Sequence, residues 1–275
     1  MGMQGKLPFN PIIWPAVPVD HTGDNNLGYY TAETTQRYVS GTRGMTWDGK
    51  VFKYGRSKET LVPGFGCING AQSDVSDLPN SNTTIAIAAG DTTTVLTLAS
   101  TEGYDTTSLL AEDELAGGQF VIGHGASGTG ETRTIVANTA VAAGGGTSII
   151  TVDAPWALAH AAGFSETVLN PYHYIWLAYT SNGFASVMGM PNVAATTGQF
   201  FWMQTWGPCW CTPGGGDSTP GDSENDRSVY FVGDGSVNAG AALTLESGSQ
   251  YAGWIIDGTE SGTGCMPMVM LQLSI

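Results

Sequence analysis

Between Gly198 and Gly216 the chain reads GQFFWMQTWGPCWCTPGGG, placing two Phe, three Trp and two Cys in one short stretch. Three chemistries compete for these residues: thiol-metal or redox chemistry, a stacking platform for sugars, and the interior of a sheet. Structural zinc takes two cysteine pairs or a Cys/His set at loop spacing, whereas Cys67 and Cys265 stand alone with no flanking histidine. A redox pair has two residues between its thiols at the start of a helix, and Cys209-x-Cys211 has one. The thiols therefore read as reduced, inert neighbours at alternate positions of one strand face. Trp202, Trp206 and Trp210 would form a stripe on a helix, but Gly207-Pro208 would break that helix. On a strand, Phe200, Trp202, Gln204 and Trp206 share one face and Phe201, Met203 and Thr205 the other. Both faces are largely apolar, so this strand is expected to be buried on both sides, or on one side by a second subunit. A sugar platform would instead need the rings exposed.

Other patterns with chemical meaning are weaker. Gly123-x-Gly125-x-x-Gly128 matches a dinucleotide fingerprint and follows a strand-like QFVI, but the residues after it read as loop and strand, not as the helix whose N-terminus holds the pyrophosphate. Neither G-x-S-x-G nor H-E-x-x-H occurs. His21, His124, His160 and His173 are scattered without evident partners. Asp217, Asp222, Glu224 and Asp226 lie in one loop that could offer oxygens to calcium, but their spacing is not that of an EF-hand, and a solvated loop is the preferred reading. The expectation is a protein with no catalytic residues, no cofactor and no bound metal. Carboxylate pairs for glycoside hydrolysis come together only in a fold and stay open.

The elements that must position these residues follow from composition. Of 275 residues only 12% are charged and 39 are glycine, a strand-and-turn vocabulary. A hydrophobic content of 41% keeps the chain out of the disordered class despite a net charge of −15. The charge is uneven: the first 58 positions hold seven of the nine basic residues against four acids, and the remainder holds only Arg133 and Arg227 against 20 acids. Such a surface repels nucleic acid. The basic N-terminal part either docks on an acidic protein partner or is a solvated strand face. No apolar run reaches the roughly 18–20 residues of a membrane helix, and prolines interrupt the N-terminus, so no secretory signal is read there. Synthesis in a cytoplasm with reduced cysteines is the default.

Residues 1–20 alternate prolines with Phe9, Ile12, Ile13 and Trp14, which predicts an extended arm whose apolar groups cover a surface of this chain or of a neighbour. Residues 21–80 and 169–275 read as a main β domain, with Asp48-Gly49 a hairpin turn in MTWDGKVFKY and Asn182-Gly183 a second turn. Residues 81–168 read as an inserted β-rich subdomain of small and threonine-rich strands. The two helix candidates lie there, TSLLAEDELAGG and APWALAHAAG. The fold class is all-β: a sandwich or barrel of short antiparallel strands with little helix.

Several stretches together resemble the β-rich virion proteins of tailed bacteriophages, in particular head decoration (cement) proteins. They are YVSGTRGMTWDGKVFKYGRS, GETRTIVANT with ITVDAPW and LNPYHYIW, FFWMQTWGP, and LTLESGSQYAGWIID to MVMLQLSI. The loop GPCWCTPGGGDSTPGDSEND departs from that pattern in length and in its cysteines. The resemblance implies a non-enzymatic structural protein of the virion, made in the host cytoplasm. Its implied partners are the major capsid protein and copies of itself as a homo-oligomer, a trimer among the options, with no nucleic acid and no membrane. Partner contacts are expected from the arm (Phe9, Ile12, Ile13, Trp14) and from Arg43, Lys50, Lys53 and Arg56. The rivals are a tail or fibre component, and a carbohydrate-binding or glycan-cleaving β protein.

Overall fold

The computed structural model describes residues 29–46, 48–69, 86–98, 108–123, 130–162, 166–178, 186–214, 220–221, 227–240, 249–257 and 266–273. The proline-rich arm with Phe9, Ile12, Ile13 and Trp14 lies outside these residues. So do most of the Gly123 fingerprint, the turn at Asn182-Gly183, the acidic residues Asp217, Asp222, Glu224 and Asp226, and Cys265.

The chain opens with β1 (Arg43–Met45), β2 (Val51–Arg56) and β3 (Cys67–Asn69). β1 and β2 form an antiparallel hairpin with Met45 opposite Val51. Its loop closes through Thr46 N donating to Lys50 O at 2.9 Å, and Gly49 N donates to Thr46 O at 3.0 Å. This is the longer hairpin form, a tight turn followed by a residue in the left-handed region, and Gly49 holds that position at φ 84°. Asp48-Gly49 is thus part of the turn without being the whole of it.

The chain then builds a second compact unit from Gly70–Tyr174, joined by Val39–Gly41. It contains β4 (Thr93–Leu98), β5 (Ser108–Leu110), β6 (Gln119–Ile122), β7 (Glu131–Asn138), β8 (Val141–Ala142), β9 (Gly146–Val152) and β10 (Glu166–Leu169). Five strands form one antiparallel sheet in the order β10-β6-β7-β9-β4, and β5 pairs with β8. In β9 the burial alternates from Ser148 onward, with Ser148, Ile150 and Val152 buried, as expected of a sheet with one covered face. Trp156, Phe120, Leu115, Ile135 and Ile150 centre its core.

Returning to the first unit, the chain adds β11 (Ile175–Leu177), β12 (Val187–Pro191), β13 (Phe200–Trp210), β14 (Ser228–Phe231), β15 (Val237–Ala239), β16 (Tyr251–Asp257) and β17 (Met268–Gln272). With β1 to β3 they make a 10-stranded sheet ordered β11-β3-β12-β13-β17-β16-β14-β15, with β2 also on β13 and β1 on β2. The antiparallel sheets curl into half-barrels, and the all-β class is established.

Among the described residues there is no helix, which corrects both helix candidates. In TSLLAEDELAGG, Ser108–Leu110 is strand, and Asp113 at φ 58° leaves the right-handed region and interrupts any helical run. Asn138 caps the turn from outside: its Oδ1 accepts from Leu115 N at 2.8 Å and its Nδ2 donates to Ala111 O at 2.7 Å. In APWALAHAAG the backbone donors are claimed by other segments. Trp156 N donates to Asp91 O and His160 N to Ile87 O, each at 2.9 Å. The Glu131 carboxylate accepts from Ala157 N at 2.7 Å and Leu158 N at 3.3 Å.

Candidate partner-binding surfaces

β13 is the hub of the first unit. It pairs with β12 through Met190↔Gln204, with β2 from Phe200↔Arg56 to Trp206↔Val51, and with β17 from Trp206↔Gln272 to Trp210↔Met268. From Phe200 through Thr205 every residue is buried, as a strand apolar on both faces requires. Trp202 packs with Tyr29, Tyr38 and Tyr54 at ring distances of 5.1, 5.3 and 5.1 Å. At 3% exposure it offers no face to a sugar, and Trp206 and Trp210 are partly covered. Burial, aided by the neighbouring Tyr38, pushes the Tyr29 hydroxyl up to about 12. The polar intruder, Gln204, is fully satisfied: its Nε2 donates to the carbonyls of Trp206, Gly207 and Pro208, and its Oε1 accepts from Asn192 Nδ2 at 2.9 Å.

The four basic residues expected at a docking face do not form one patch. Arg43 and Lys53 stand directly opposite in the β1–β2 ladder, on one face of the sheet. Burial, then the charge of Arg43, lowers the Lys53 ammonium below its ordinary value. Arg56 lies on the other face, because strand side chains alternate, with its guanidinium 5.6 Å from the Phe200 ring centre. Lys50 sits in the hairpin loop with Nζ 3.6 Å from Asp48.

The register also creates a surface that residue types alone did not announce. Pro208, Met270, Trp254 and Ser228 are successive partners across β13, β17, β16 and β14. Paired residues project to the same side, so these four make one row. Beside it lie Trp210 opposite Met268, and Tyr230 against Tyr251 with ring centres 5.5 Å apart. The opposite side of these strands carries Cys209, Val269, Leu271, Val229 and Phe231, all buried in the core. On and beside this row Trp254 and Ile256 are each 44% exposed and Tyr251 and Met268 each 40%, while Met270 is half-buried. Single exposed apolar residues are ordinary, but a contiguous sheet face rich in aromatic and methionine side chains has the composition found at protein interfaces.

In the second unit two histidines that looked solitary in sequence have carboxylate partners. His173 Nε2 lies 2.8 Å from Glu114 Oε1, and Ser40 Oγ lies 3.3 Å from His173 Nδ1. This is the order of a serine–histidine–carboxylate relay, but Ser40 is 2% exposed, so no substrate reaches its hydroxyl. It fastens the 39–41 segment to the 111–118 turn. His160 Nε2 lies 3.2 Å from Glu131 Oε2, and Arg133 pairs with the other carboxylate oxygen. Burial works to raise the Glu131 carboxyl and is outweighed by the Ala157 amide, His160, the Leu158 amide and Arg133, which together hold it below its ordinary value.

The remaining cluster is sulfur. Cys67, Cys209 and Cys211 are buried free thiols. Cys67 Sγ donates to Gly189 O at 3.0 Å, and burial pushes its thiol far up. Cys211 Sγ lies 3.6 Å from Met190 Sδ. Among the described residues no group of three His, Cys, Asp or Glu stands close enough to hold a metal ion. Compared with known proteins, the chain matches no family profile, no curated protein and no solved structure.

Proposed function

We propose that this protein is a structural component of a tailed-phage particle that binds the outer surface of the capsid lattice and stabilises it. The observation that carries this reading is the outward sheet face around Pro208, Met270 and Trp254, with Met268 and Ile256 beside it. It is largely apolar, with Ser228 and Asp257 at its margin, is backed by a packed core, and is built of the aromatic and methionine side chains that anchor protein interfaces. The resemblance of the β stretches to head decoration proteins supplies the partner, the major capsid protein, and a homo-oligomeric state on the lattice. The net charge of −15 over the whole chain keeps a densely covered particle soluble.

The test is sedimentation of the protein with purified capsids lacking it. The double substitution Trp254→Ser and Met268→Ser is expected to weaken binding by at least about tenfold while leaving the melting temperature near that of the parent. Binding that survives the double substitution removes this face from the reading, and binding to tails in place of heads turns the protein into a tail or fibre component. A glycan-binding protein would show tryptophan fluorescence that responds to glycans and not to capsids; methionine, isoleucine and proline among the rings favour a protein partner.

A further inference from the structure

We propose that Met190, Cys209 and Cys211 form a buried soft-metal site in the first unit, suited to one monovalent copper ion. The site does not depend on what surface the protein binds.

The donors come from two neighbouring strands whose register is fixed. Met190 lies on β12 opposite Gln204, Cys209 lies on β13 opposite Val269, and Cys211 follows the end of β13 with its amide donating to Pro267 O at 3.1 Å. Alternation along a strand sends Cys209 and Cys211 to the same side, and core packing, not the ladder itself, brings the thioether to Cys211, since Met190 pairs with Gln204. Cys211 Sγ and Met190 Sδ are 3.6 Å apart. Two sulfurs on one ion at about 2.3 Å each, with trigonal or tetrahedral angles, are separated by about 3.7–4.0 Å, so a shift of a few tenths of an ångström admits the ion. The Cys209 and Cys211 side chains also interact with each other.

Donor chemistry selects the ion. Two thiols and a thioether are soft ligands, which favour Cu(I) over hard cations. The lack of a third His, Cys, Asp or Glu in reach among the described residues denies zinc its four-ligand shell. Two oxygens stand near Cys209 Sγ, the Trp210 carbonyl at 3.4 Å and Asn192 Oδ1 at 3.6 Å; both are hard donors, and the Asn192 amide is already committed to Gln204. All three donor residues are buried from solvent in one apolar core, a setting that suits a soft, singly charged ion. A cation between the two thiols favours their deprotonated form, and each thiol that coordinates releases its proton to solvent. Copper enters and remains as Cu(I), so no electron is transferred. The competing description is that these are small apolar core residues and nothing more.

The experiment is an anaerobic titration of the reduced full-length protein with Cu(I) held by a chromophoric competing chelator such as bicinchoninate. It is run on the folded protein and on protein refolded with the metal present, since the site is enclosed. The expected result is uptake of one equivalent by at least one of these routes, a sulfur-to-copper charge-transfer band in the near ultraviolet, and a higher melting temperature. Cys209→Ala and Cys211→Ala should each weaken binding by at least about a hundredfold, and Met190→Leu, which keeps the core volume, by about tenfold. Failure to compete by either route overturns the proposal. So does binding that is unchanged in Cys209→Ala and Met190→Leu, or that is lost in Cys67→Ser or Cys265→Ser.

Discussion

Glu131 shows how one side chain sets local structure. Its two oxygens accept from the Ala157 and Leu158 amides and meet His160 and Arg133, so the 154–160 segment is organised around a carboxylate and not around its own helical ladder. The carboxyl titrates below its ordinary value in the fold, so its contribution is complete above the unfolded value near 4.5 and is lost as pH falls through the lower folded value. Glu131→Gln is therefore expected to lower unfolding stability by roughly 2 kcal/mol at neutral pH, with the gap to the parent closing in acid. Urea melts at pH 7 and at about pH 3 check both halves of this statement. The histidine partners could not be read from sequence, because Glu114 and His173, like Glu131 and His160, meet through the fold and not through spacing.

At the scale of elements, the outward face depends on how β16 is threaded between β14 and β17. Its register shifts on both sides, between Val229 and Tyr230 and between Ile255 and Asp257. Gly253 makes this possible: at φ 153° it sits where side chains are rare, and a Cβ added there would lie 1.9 Å from Met270 O. Gly253→Ala is expected to cost roughly 3 kcal/mol or more and to disturb the Trp254 environment, seen as a lower denaturant midpoint and an altered tryptophan emission. β13 was legible as a strand because Gly207-Pro208 forbids a helix and both alternating faces are apolar; its burial from Phe200 through Thr205 agrees. The two short helices were misread because proline, alanine and glycine placement carries a helix signal, while the left-handed Asp113 and the external partners of the 154–160 amides carry none.

For the molecule as a whole, the proposed capsid reading makes charge the term that guides approach. With 24 acids against nine basic residues, the chain carries few cations for meeting an acidic shell. Among the four expected at a docking face, Arg43 and Lys53 share one side of the β1–β2 ladder while Arg56 packs on Phe200 on the other. If the basic face contributes to capsid binding, replacing Arg43 and Lys53 by Gln weakens it most at low ionic strength, and the difference from the parent shrinks by about 0.5 M salt, where charges beyond a few ångströms are screened. A loss of equal size at every salt concentration would assign the effect to packing instead. Composition and alternation by themselves determined that this is an all-β protein, that the aromatic stretch is a strand buried through its first half, and that the cations gather near the N-terminus, because these depend on residue type and short-range periodicity. Only the tertiary structure decided which side of each strand meets solvent, that Trp254 and Met268 join one exposed face, and that a thioether from β12 lies against Cys211. Those are facts of register and of packing between separate segments of the chain, and no local pattern encodes them.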